Sequence, residues 1–196
     1  MLKRTFDLLA SLVGLALLAP FGLLVALAIK LDSRGPVFFR QTRIGQAFRP
    51  FAIYKFRTMV ADAPARGGQL TTGADPRITR VGRILRKTKV DELPQLINVL
   101  IGDMSIVGPR PEVPKYVELF ASDYRDILSV RPGITDPASV KYRDEGKLLA
   151  AAADPEAAYI EQILPEKIAL ARQYIERSSL AYDLGIIIQT LWRIVR

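Results

Sequence analysis

The sequence predicts an α+β, mainly helical protein: a re-entrant membrane helix kinked at Pro20 within residues 1–34, then one interfacial or cytoplasmic domain over residues 35–196. Three observations carry this. Leu8 to Ile29 is apolar or small at nearly every position and uncharged, long enough as a helix, at about 33 Å, to cross a bilayer. Two short β-prone runs flank a turn at Gly45, which reads as a small hairpin. Beyond the hairpin, helical spacing over 77–87 and helix start and stop signals further on predict a series of helices.

The apolar segment is interrupted by Ala19-Pro20, where proline removes a backbone donor and crowds the preceding turn, and Gly22 eases the bend. Lys3 and Arg4 precede the segment, and Lys30 and Arg34 follow it. A spanning helix would put one basic cluster outside, against the positive-inside tendency, whereas re-entry leaves both on the cytoplasmic side. Re-entry is therefore the expectation over a span. A cleaved signal peptide fits less well, because the run is long and no small-residue cleavage pattern closes it.

Val37-Phe38-Phe39 and Phe51-Ala52-Ile53-Tyr54 are the hairpin strands. Residues 61–76, with Pro64, Gly67, Gly68, Gly73 and Pro76, read as a surface loop that could move over a site. Ile78, Val81, Ile84 and Leu85 predict a basic amphipathic helix over 77–87, with Arg77, Arg80, Arg83 and Arg86 along another part of it. A second helix should start near Asp91, tolerate Pro94 in its first turn, and stop at Gly102. Gly108-Pro109-Arg110-Pro111 and Arg131-Pro132-Gly133 are stiff loops that each present an arginine. Asp154-Pro155-Glu156 opens a further helix, Pro165-Glu166 restarts it, and the apolar end from Leu184 to Val195, with Trp192 and Arg193, suits an interfacial helix.

Composition narrows the chemistry. There is no His and no Cys, so an imidazole base, a thiolate nucleophile, a disulfide and an ordinary zinc site are all excluded. Lys and Arg number 28 against 20 for Asp and Glu, a net charge of +8 that favours phosphates or an anionic leaflet. No recognised nucleic-acid module or aromatic ladder accompanies that charge.

Asp91-Glu92 has two readings. Acidic residues are common helix caps and dipole partners. Alternatively, the positive end of a helix lowers a carboxylate's pKa, keeping Asp91 ionised as a nucleophile where a phosphate is also held. Lys55, Arg86 and a divalent metal would then screen the phosphate. Lys55, Arg110 and Arg131 each carry the plainer reading of a surface cation.

Taken together, the ordered motifs resemble the monotopic polyprenol-phosphate glycosyl-1-phosphate transferases, the bacterial sugar transferases. They are Lys3-Arg4 with Phe6-Asp7, Gly35-Pro36-Val37-Phe38-Phe39-Arg40-Gln41, Lys55-Phe56-Arg57-Thr58-Met59, Asp75-Pro76-Arg77-Ile78-Thr79, Arg86, Asp91-Glu92-Leu93-Pro94-Gln95, Gly102-Asp103-Met104-Ser105, Val107-Gly108-Pro109-Arg110-Pro111-Glu112 and Arg131-Pro132-Gly133-Ile134-Thr135.

The resemblance implies an enzyme of the bacterial inner membrane, with its site on the cytoplasmic face, moving a sugar-1-phosphate from a UDP-sugar to polyprenyl phosphate and releasing UMP. It implies Asp91 as nucleophile, through a covalent aspartyl phosphosugar, and Glu92 as its partner in metal or proton handling. It also implies Mg²⁺ held by Asp91 and Glu92, Lys55 and Arg86 near the phosphates, and Arg110 and Arg131 as nucleotide or phosphate contacts. Membrane phospholipids are partners in this reading, nucleic acid is not, and a homo-oligomer is compatible with it. Two segments depart from the family pattern: Ala19-Pro20 stands for Ser-Pro, and Asp136-Pro137-Ala138-Ser139-Val140 follows Thr135. The competing reading is a membrane-tethered protein that binds anionic lipid without catalysis.

Overall fold

The computed structural model describes residues 2–68, 70–71 and 75–195. Helix α1 (Leu2–Asp32) keeps helical geometry through Pro20, so the bend expected there does not interrupt the helix. It is long and apolar enough to cross a membrane by length and composition. Its faces differ. Asp7, Ser11, Gly14, Leu18, Gly22, Val25 and Ile29 recur every three or four residues and are buried or half-buried. Leu9, Leu12, Val13, Leu17, Leu23, Leu24 and Leu27 stay exposed. The first set is a helical stripe facing the protein body, and the second is an apolar face without protein cover.

Both ends of α1 are tied to that body. Near the start, Lys3 donates to the Val107 carbonyl at 3.0 Å and pairs with Asp183. Arg4 donates to the Val99 carbonyl at 2.8 Å, and Asp7 accepts from the Ser105 hydroxyl at 2.8 Å. At the far end Arg57 donates to the Ser33 carbonyl at 2.8 Å and to that of Arg34, holding the chain just past the end of the helix. Asp32 accepts from the Val81 amide at 3.0 Å. Lys3 and Arg4, the basic cluster that precedes the apolar segment, are thus engaged with the body.

Strands β1 (Phe38–Ile44) and β2 (Pro50–Phe56) form the expected hairpin; β1 starts one residue later than its apolar run and extends well past it, and β2 is longer at both ends. They pair antiparallel, with Phe39 opposite Lys55 and Arg40 opposite Tyr54. The reversal runs through a 3₁₀ turn over Gln46–Phe48, whose left-handed residues are Ala47 and Phe48 rather than Gly45. Of the loop that follows, expected to be mobile, Gln69 and residues 72–74 lie outside the described residues. Arg77 pins its described part, with an ion pair to Asp75 at 2.6 Å and hydrogen bonds to the carbonyls of Ala63 and Gly68.

Helix α2 (Arg80–Thr88) starts three residues later than its apolar spacing implied, because Thr79 caps it by accepting from the Gly82 amide. Gly82 packs directly under the Thr58 backbone, where any Cβ would collide. Helix α3 (Gln95–Ile101) ends at Gly102, in the left-handed conformation with φ of 101°. The two proline loops then meet. Strands β3 (Ser105–Val107) and β4 (Gly133–Thr135) pair in parallel, and Gly108 and Gly133 approach so closely that a Cβ on either would strike the other's backbone.

Between and after these strands the chain is helical: α4 (Pro114–Leu119), α5 (Ala121–Ile127), α6 (Pro137–Lys141), α7 (Glu145–Ala151) and α8 (Pro155–Ala158). Next come α9 (Leu164–Arg177), entered through a π turn over Tyr159–Ile163, and α10 (Leu180–Val195). Asp154 caps α8 as expected. The main core joins Tyr116, Tyr124, Ile127, Leu149, Tyr159 and Leu164. A second cluster packs Val25 and Ile29 of α1 against Phe56 and Leu85. Burying each of these two aliphatic chains contributes roughly 1.5–3 kcal/mol, which anchors α1 beside the strand and helix that lead to the site.

Candidate active site

Asp91 and Glu92 occupy a short 3₁₀ turn, Val90–Glu92, between α2 and α3. Neither carboxylate caps a helix: no side-chain capping bond is formed at this turn or at α3. Their surroundings differ instead. Glu92 is gripped by two cations. Lys55, on β2, donates to its Oε1 at 2.8 Å, and Arg110, from the first proline loop, reaches Oε2 through Nη1 at 3.2 Å and Oε1 through Nη2. Asp91 is 7% exposed, and its buried Oδ1 has no hydrogen-bond partner.

The two carboxylates consequently titrate in opposite directions. Burial raises the pKa of Asp91; Lys55 opposes this and Glu92 adds to it, leaving the group above its ordinary value. This corrects the lowering expected from a helix N-terminus. Asp91 sits in the preceding turn rather than on α3, and burial outweighs any helix dipole. Burial also opposes ionisation of Glu92, but Arg110 and then Lys55 overcome it and hold that carboxyl well below the usual range. Its two cation contacts make Glu92 the fixed anion of the pair.

Each cation is placed by identifiable contacts. The Asn98 side chain accepts from the Tyr54 amide at 3.0 Å and donates to the Ala52 carbonyl at 2.8 Å, stitching β2 to α3 beside Lys55. The Arg110 amide donates to Asp136 at 3.3 Å, and Arg110 Nη1 to the Ile134 carbonyl at 3.4 Å. Asp136, in the segment that departs from the family pattern, also caps α6 through the Ser139 amide at 2.7 Å. Of the expected arginine row, Arg77 is held in the loop by Asp75, and Arg86 turns inward with its Nε donating to Thr58 Oγ1 at 2.8 Å. Arg80 and Arg83 are exposed.

Lys55, Arg86 and Arg110 therefore gather around Asp91 and Glu92. Arg131 does not. It is exposed and donates to the Gly102 carbonyl at 2.9 Å, at the opposite end of α3 from the acidic pair.

The sequence model of the bacterial sugar transferases matches residues 1–196. The chain belongs to that family. Among curated bacterial sugar transferases it is 41% identical over 195 residues to a UDP-N-acetylgalactosamine-undecaprenyl-phosphate N-acetylgalactosaminephosphotransferase of Aeromonas hydrophila, covering 97% of this chain and 43% of that protein. A UDP-glucose:undecaprenyl-phosphate glucose-1-phosphate transferase of Caulobacter vibrioides is 41% identical over 192 residues, covering 96% of this chain and 68% of the relative. One of the same description from Escherichia coli is 36% identical over 201 residues, covering 98% and 40%. The chain thus spans well under half of two of these three proteins.

Sequence reasoning missed Asn98 and Asp136. Asn98 carried a faint signal, an amide on the apolar face of a short helix. Asp136 carried that of an N-cap before Pro137.

Proposed function

We propose that this bacterial sugar transferase moves a sugar-1-phosphate from a UDP-sugar to polyprenyl phosphate in two displacements at Asp91. The observation that carries this reading is the buried Asp91 carboxylate, unpartnered at Oδ1 while its neighbour holds two cations. In the first step a carboxylate oxygen of Asp91 attacks the sugar-linked phosphorus. The bond to the bridging oxygen breaks, and UMP leaves with its electron pair. In the second, a phosphate oxygen of the polyprenyl phosphate attacks the same phosphorus and expels the Asp91 carboxylate, giving polyprenyl diphosphosugar. Burial strips water from the nucleophile and limits hydrolysis of the acyl phosphate. Glu92 keeps Lys55 and Arg110 in place for the phosphates.

Mg²⁺ fits the site on one point: the orphaned Asp91 Oδ1 is a hard anionic oxygen of the kind this ion takes. Among the described residues no group of three or more acidic side chains gathers, so Asp91 and substrate oxygens would hold the ion, and Glu92 is already occupied by cations. Bound there, Mg²⁺ would neutralise diphosphate charge. Incubation with UDP-sugar and Mg²⁺ without lipid acceptor should leave one phosphosugar on Asp91 and release one equivalent of UMP. An intact mass that never changes in single turnover defeats the covalent scheme.

The same reading places the protein monotopically, on the cytoplasmic face of the inner membrane. Its support is that both ends of α1 are bonded to one body while the outer face of the helix is apolar. Because the chain has no cysteine, Leu2→Cys and Arg34→Cys can be labelled singly. Both should react from the cytoplasmic side, and labelling from opposite sides would mean that α1 spans.

A further inference from the structure

We propose that Lys89 is a further phosphate-binding residue, the uncommitted cation that receives phosphate oxygens in front of Asp91. The inference rests on the transferase reading above and adds to it a residue that neither motif nor spacing indicated. Lys89 is the hinge between α2 and the acidic turn. Its amide donates to the Arg86 carbonyl at 3.3 Å, and its carbonyl accepts from the Glu92 amide at 3.1 Å. It does so in the left-handed conformation, with φ of 57° and ψ of 14°, at a helix end where glycine is the usual occupant. A lysine held there costs backbone strain that a use of its side chain would offset.

The surrounding cations show what the use is. Lys55 and Arg110 are both bound to Glu92, and Arg86 is fixed by Thr58. Among the described residues the Lys89 ammonium has no hydrogen bond or ion pair, although it is half-buried and close enough to favour the charged forms of Asp91, Glu92 and Asp144, the last of which is paired with Lys147. A plainer role, neutralising the end of α2, is already met by Arg86 and Lys87 in its last turn. An ammonium kept beside a buried nucleophile without an ion pair of its own is suited to the anionic oxygens of an incoming phosphate, either the nucleotide diphosphate or the lipid phosphate.

The test measures binding rather than turnover. UDP, and separately undecaprenyl phosphate in nanodiscs of neutral lipid, are titrated into the full chain and into Lys89→Arg, Lys89→Gln and Lys89→Gly. Loss of one charge-assisted contact should weaken one or both ligands about tenfold in the Gln and Gly variants, with Arg retaining most of the affinity. Weakening of UDP alone assigns Lys89 to the donor, and weakening of undecaprenyl phosphate alone assigns it to the acceptor. Lys89→Gly, which relieves the left-handed strain, should melt no lower than the parent, separating lost binding from lost folding. If the parent binds both ligands and the Gln and Gly variants match it, Lys89 has no such role. If the Arg variant loses as much as Gln, charge is not what matters and the proposal is overturned. A parent that binds neither ligand removes the transferase reading itself.

Discussion

Asp91→Asn should abolish turnover, by roughly 10³-fold or more, without lowering the melting temperature at pH 7. The loss follows from removing the attacking oxygen's charge while keeping its shape. The unchanged or higher stability follows from linkage. Burial raises the folded-state pKa of Asp91 above its ordinary 3.8, so the carboxylate is easier to accommodate protonated than ionised. Its favourable contribution is present below the unfolded value and lost as pH rises through the folded one. At neutral pH the charge is a cost, and the neutral amide removes it. The same shift sets the acid limb of kcat/KM in the parent above 3.8, at a higher pH than an exposed aspartate would give. A variant that turns over normally would exclude Asp91 as nucleophile and revive the lipid-binding reading. One that is inactive only because it melts early would show Asp91 to be structural.

The parts of this protein that were legible in its sequence are those set by local periodicity and turn chemistry. The apolar stretch gave α1, the runs around Gly45 gave the hairpin, and Gly102 marked the end of α3. The acidic pair and three of the four nominated cations also came together as expected. What could not be read was contact between distant segments. Arg110 reaches Glu92 only because Gly108 and Gly133 let two proline loops touch backbone to backbone, and Lys55 faces the pair only because Asn98 holds β2 against α3. Arg131 sits on an equally stiff loop, yet its side chain leads away, to the carbonyl of Gly102. The sign of the Asp91 shift was missed for a related reason: a helix dipole can be inferred from sequence, whereas desolvation depends on what the completed fold places overhead.

Glu92→Gln should behave in the opposite way, losing stability first and activity as a consequence. Replacing the carboxylate leaves Lys55 and Arg110 together with no anion between them. Stripping one partner from a buried charge group costs about 3–5 kcal/mol. Because 29% of the Arg110 side chain remains exposed, the lower end applies, a fall of roughly 10 °C in melting temperature for a chain of this size. The sign of the pH dependence differs from that of Asp91. The folded pKa of Glu92 lies well below 4.5, so its contribution is complete above the unfolded value and disappears only as pH falls through the folded one. The gap in melting temperature between parent and Glu92→Gln should therefore be full at pH 7 and close only in acid below 4.5. Adding Lys55→Met to Glu92→Gln should recover part of the stability, since one uncompensated cation is then gone, while activity stays lost. Equal melting of parent and Glu92→Gln at pH 7 would mean that the two cations are solvated well enough to stand alone. Glu92 would then be released from its holding role and available to bind a metal with Asp91.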